Sequence, residues 1–109
     1  MNYKVIAVPR FKKELKKLAK KYHSLKEEFS AMVDSLETDP KQGTALGNNC
    51  YKIRTAIKAK GKGKSGGARV ITNVVVLETT VYLLSIYDKA DKENLIDKEL
   101  QKLLASVPK

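Results

Sequence analysis

The chain is poor in the residues that most hydrolytic chemistry requires: it has one cysteine, one histidine and, between Asp39 and Glu78, no acidic residue at all. A lone Cys50 cannot close an internal disulfide, and one Cys with one His cannot supply the four ligands of a zinc site. The acid-free stretch likewise lacks the carboxylates on which magnesium-dependent nucleases rely, so neither a metal nor any other cofactor is expected. His23 stands alone and far in sequence from the basic residues, which excludes a two-histidine ribonuclease mechanism. The N-terminus lacks the long apolar segment of a secreted or membrane-inserted protein, so a soluble, cytoplasmic protein with no membrane partner is expected. With no internal repeat and no linker, residues 1–109 are expected to form a single domain burying roughly two thirds of its unfolded surface.

What the acid-free stretch does contain is positive charge. Lys41, Lys52, Arg54, Lys58, Lys60, Lys62, Lys64 and Arg69 fall there, eight cations in a protein of net charge +10. The flanking segments nearly cancel, so the charge is localised and predicts a polyanionic partner. Tyr51, Ile53, Ile57 and Ala59 alternate with Lys52, Arg54, Ala56 and Lys58, the period-two pattern of a strand with one core face and one cationic face. Residues 60–67 (KGKGKSGG) then read as a mobile loop, with Lys58, Lys60, Lys62 and Lys64 as candidate RNA-binding residues. Gly63-Lys64-Ser65 is not the end of a nucleotide-binding P-loop, because Lys58 stands where the first glycine is needed and a strand follows instead of a helix.

In chain order, residues 3–8 predict a strand ending at Pro9, which suits a first helical turn. Phe11, Leu15, Leu18, Ala19 and Tyr22 recur with helical spacing, as do Leu25, Phe29, Met32, Val33 and Leu36, and Ser24 with Glu27 forms a capping-box pattern between the two. An antiparallel helical hairpin lying on a sheet is predicted, and its many lysines read as a solvated face. Residues 41–49 read as polar turn material. Arg69 to Leu77 and Thr80 to Tyr87 are apolar on both alternations, hence strands buried on both sides, joined by a short turn at Glu78-Thr79. Ile96, Leu100, Leu103, Leu104 and Val107 give a third helix, entered through Asp91 as N-cap. The predicted fold is α+β, in the order β-α-α-β-β-β-α: two N-terminal helices packed on a small, mainly antiparallel four-stranded sheet, with a C-terminal helix.

By elimination, any catalysis belongs to Lys, Arg and Tyr; Cys50 reads as a small buried thiol rather than a nucleophile. That set suffices for attack of an RNA 2′-hydroxyl on its own adjacent phosphate, where the substrate brings the nucleophile and the protein orients the phosphate and stabilises the transition state. A lysine crowded by other cations could serve as a base, because like charge disfavours its charged form.

Cys50-Tyr51-Lys52-Ile53-Arg54, the run from Gly63 to Ile71, and Tyr82-Leu83-Leu84 leading to Ile86-Tyr87-Asp88-Lys89 resemble the RelE/ParE toxin superfamily, most closely its RelE and HigB branch. The resemblance spans essentially the whole chain and implies the toxin of a type II toxin-antitoxin module, a ribosome-dependent, metal-independent mRNA endonuclease held in check by a cognate antitoxin. Its partners are then the antitoxin and the mRNA in the ribosomal A site. It further implies phosphate-orienting and proton-transfer roles for Lys52 and Arg54, transition-state stabilisation by Arg69, and a further cation at Lys89. Where the family has a tyrosine early in the last helix this chain has Leu95, so Tyr87 or Tyr51 is expected to substitute. The alternatives are a ParE-like DNA gyrase inhibitor and a non-catalytic nucleic-acid-binding module.

Overall fold

The computed structural model describes residues 2–61, 63, 66–91, 95 and 97–108. A short strand, β1 (Lys4–Ala7), runs into α1 (Pro9–Lys21), with Pro9 in the first turn where its missing N–H leaves nothing unpaired. The hairpin partner α2 (Leu25–Thr38) follows, and Phe11 and Phe29 meet between the helices with ring centroids 5.6 Å apart. The chain then crosses to the far edge of the sheet and builds β2 (Thr44–Gly47), β3 (Cys50–Thr55), β4 (Ala68–Val75) and β5 (Thr80–Asp88) before ending in α3 (Asp97–Leu104). The sheet order is β1-β5-β4-β3-β2, with β1 parallel to β5 and every other pairing antiparallel. Nearly all of β4 and β5 is buried, as their two-sided apolar pattern predicts. Among the described residues no helix is long and apolar enough to cross a membrane.

The α+β class and the mainly antiparallel sheet agree with the sequence, but the sheet has five strands, not four. The extra strand, β2, lies inside the segment read as turn. Only Leu46 in it is even half-buried, so no alternation betrays it. Its turn to β3 is made by Asn48 and Asn49, both left-handed (φ 54° and 60°), the backbone a two-residue hairpin of this twist demands and one that Asn tolerates.

Four local expectations are corrected. β3 stops at Thr55; Lys58–Lys60 form a 3-10 turn that leaves Ala59 exposed, and the Lys58 and Ala59 amides are bound by Glu28 and by Ser24 Oγ. Ser24 consequently makes no cap with Glu27: it is helical itself, and its hydroxyl donates to Glu28 Oε1 at 2.9 Å. β4 ends at Val75, and the turn to β5 is a 3-10 segment, Val76–Glu78, closed by a left-handed Thr79 (φ 52°). Finally α3 starts at Asp97, so Asp91 is no N-cap; its amide donates to the Asp88 carbonyl in a turn. Ile96 lies outside the described residues, while Leu100 and Leu103 carry the buried stripe of α3.

Candidate phosphate-binding site

Three of the expected site residues stand side by side across the middle of the sheet. Arg54 on β3 is directly opposite Arg69 on β4, which is directly opposite Tyr87 on β5. Directly opposed residues share a face, so the two guanidinium groups and the phenol line up in one row. Lys52 lies two residues before Arg54 and therefore on the same face, opposite Ile71. Tyr51 falls on the reverse face by the same alternation, which withdraws it as a substitute tyrosine.

The row is graded in exposure. Arg54 is exposed and borders a groove of about 300 Å³ between the free end of β3 and α2, lined also by Met32, Gln42 and Thr55. Arg69 is 4 % exposed, its Nη1 donating to the Ala68 carbonyl at 3.1 Å, and Tyr87 is 8 % exposed. Burial pushes the Tyr87 phenol up, the nearby Arg69 charge opposes that, and Glu99 of α3 adds to it. Tyr87 is thus a protonated donor near neutrality rather than a phenolate base. Glu99 also shows what covers this end of the row: α3 packs on β5 with Leu100 and Leu103 buried. The ring of Tyr87 is accordingly no open stacking platform in this arrangement.

Lys89 follows the end of β5, half-buried, and its amide donates to the Gly67 carbonyl at 3.0 Å. Lys58 is exposed on the 3-10 turn. Lys60 departs from expectation. It does not ride on mobile glycine-spaced backbone; its Nζ lies 2.6 Å from Asp88 Oδ1, with the two side chains 12 % and 1 % exposed. Lys62 and Lys64 lie outside the described residues. Cys50 is buried as expected, its thiol pushed up by burial despite a contact from Asn73 Nδ2 at 3.5 Å, so it carries no nucleophile.

Sequence reasoning missed Asp88, a buried acid set among these cations. Its carboxylate accepts from Lys60, from the Tyr22 hydroxyl at 2.8 Å and from the Ala90 amide at 3.0 Å. Burial raises its pKa, but these bonds and the Lys60 charge outweigh it, and the net shift is downward. The available signal was an acid closing a largely apolar strand, which looks the same as an ordinary polar strand end.

A row of basic side chains on a mainly antiparallel sheet, flanked by a helical hairpin and a short terminal helix, defines a small α+β domain. The family model described as "RelE toxin of RelE / RelB toxin-antitoxin system" matches residues 9–107, and the chain belongs to that family. It is therefore the toxin half of a toxin-antitoxin pair. Its fold is similar to a double-arginine mutant of the E. coli toxin RelE in the free state (TM-score 0.67, 19 % identity, covering 99 % of this chain and 100 % of that one). A second crystal structure of isolated E. coli RelE gives a TM-score of 0.63 at 18 % identity, covering 96 % and 99 %.

Proposed function

We propose that the protein is an endoribonuclease that cleaves mRNA presented in the ribosomal A site, without a metal, by attack of a 2′-hydroxyl on the adjacent phosphate. The observation that carries this reading is the Arg54–Arg69–Tyr87 row with Lys52 beside it: three cations and a phenol donor on one face of a rigid sheet. The 2′-oxygen forms a bond to phosphorus, the bond to the 5′-oxygen breaks, and the products are a 2′,3′-cyclic phosphate and a 5′-hydroxyl end. Arg54 and Arg69 suit the two non-bridging oxygens of the dianionic transition state, where a planar fork gives directed donors. Lys52, on the same face, takes the proton-transfer role, and Lys89 adds charge where β5 ends. Because Arg69 and Tyr87 are buried, full engagement requires α3 to lift from β5.

With no strong general base, alignment by the ribosome supplies much of the rate, so free RNA is a poor substrate. A gyrase inhibitor has no need of a phosphate-cleaving row, which is what favours the RNA reading. An acidic antitoxin is the natural inhibitor, covering this basic face or displacing α3. The experiment is sequencing of mRNA ends on translating ribosomes supplied with the purified protein. New 5′-hydroxyl ends within A-site codons support the reading; intact mRNA with trapped gyrase–DNA complexes would place the protein among gyrase inhibitors.

A further inference from the structure

The two roots of the lysine-glycine loop are fastened to neighbouring residues, one to Asp88 and the other to Lys89. On the way out, Lys60 Nζ lies 2.6 Å from Asp88 Oδ1; on the way back, the Gly67 carbonyl accepts the Lys89 amide at 3.0 Å. Asp88 draws in three segments at once, the end of α1 through the Tyr22 hydroxyl, the loop through Lys60 and the chain after β5 through the Ala90 amide. The helical turn adds two further ties, Ser24 Oγ to the Ala59 amide and the Glu28 carboxylate to the Lys58 amide. The Lys60 ammonium also stands 5.8 Å from the centre of the Tyr22 ring.

Stability alone does not account for such a cluster, since a buried ion pair exchanged for well-packed apolar residues is commonly neutral or better. What a carboxylate holding three donors gives is fixed relative position. We propose that Asp88 is a positioning residue, which through Lys60 and Ala90 holds the Lys58–Lys60 turn and Lys89 at the end of the Arg54–Arg69–Tyr87 row, so that these cations and the reactive row keep one geometry. The functional consequence rests on the RNA-cleaving reading above; the clamp itself does not.

Two variants test it, each with a readout that needs no substrate. In Lys60→Met, amide exchange at Lys58–Gly61 and at Ala90 and Asp91 rises about tenfold or more while exchange in β4 is unchanged, as expected of a local opening. Asp88→Asn gives the same pattern. Single-turnover cleavage on saturated, programmed ribosomes falls about tenfold in each, the scale expected of a modest misplacement of reacting groups. The double variant is no worse than Asp88→Asn alone, because the Lys60–Asp88 contact is already lost in that variant, and Lys60→Arg retains most of the rate. If Asp88→Asn fails to fold, Lys60→Met carries the test alone. Unchanged exchange at these amides in Lys60→Met, or losses that simply add in the double variant, overturns the proposal. If the wild type cleaves nothing, the RNA reading fails, and the exchange pattern still decides whether the clamp exists.

Discussion

Arg69 separates chemistry from simple attraction. It is fixed on a central strand, whereas Lys58 sits exposed on a turn, so only the arginine holds an atom to the accuracy that transition-state stabilisation needs. Arg69→Ala is expected to lower single-turnover cleavage about a hundredfold or more, roughly 3 kcal/mol, with little change in ribosome affinity. Arg69→Lys keeps the charge and loses the planar fork, and is expected to recover only part of the rate; full recovery would mean that charge alone matters. Lys58→Ala should weaken binding and leave the rate at saturation intact. Asp88 gives a prediction about pH. Its folded-state pKa lies below the ordinary 3.8, so folding favours the ionised form, and that stabilisation is present above the unfolded value and lost as pH falls through the folded one. Between about pH 5 and pH 3, urea midpoints of the wild type should fall further than those of Asp88→Asn. Equal falls would show that the Lys60 and Tyr22 bonds contribute nothing to folding.

At the scale of elements, Gly67 is the tightest joint. A Cβ there would lie 2.0 Å from the Thr55 carbonyl oxygen and 2.9 Å from the Ile57 nitrogen, both backbone, so β3 and the loop's return cannot close around any side chain. Gly67→Ala is expected to cost about 1–3 kcal/mol by chemical denaturation, the usual range for overpacking, and to shift Arg69 with the strand it opens. A denaturation midpoint equal to wild type would contradict the packing described. The roof makes a separate prediction: Leu103→Ala removes a buried anchor of α3, and exchange in α3 should accelerate well before the β4 and β5 amides respond. The helices and the basic face of β3 were legible because each carries a period set by its burial, and β4 and β5 because apolar residues fill both alternations. β2 was not, since an edge strand with one half-buried residue has no period to show. The end of β3 was misplaced because it is decided by distant partners, Glu28 and Ser24 for the Lys58–Lys60 turn, which local sequence does not contain. The row itself was half legible. Its members could be named from the chain, but their pairing and the burial of Arg69 and Tyr87 depend on register and on α3.

Over the whole molecule the charge is lopsided, with eight cations and no acid between Asp39 and Glu78. Affinity for RNA should therefore fall steeply with salt, at a log-log slope of roughly 0.7 per contacted phosphate on a single strand. A flat salt response would point to a partner recognised by shape or apolar contact instead. Binding to a polyanion, however, is shared by many basic proteins and cannot establish the account. The central claim is cleavage by the row on the sheet, and the most direct measurement is mapping of mRNA ends on translating ribosomes with the wild type, Arg54→Ala and Arg69→Ala side by side. The account predicts A-site cuts bearing 5′-hydroxyl ends with the wild type and about a hundredfold fewer with Arg69→Ala at equal ribosome occupancy. Cuts of undiminished rate and position from both arginine variants would contradict it, and would reduce the row to a docking surface.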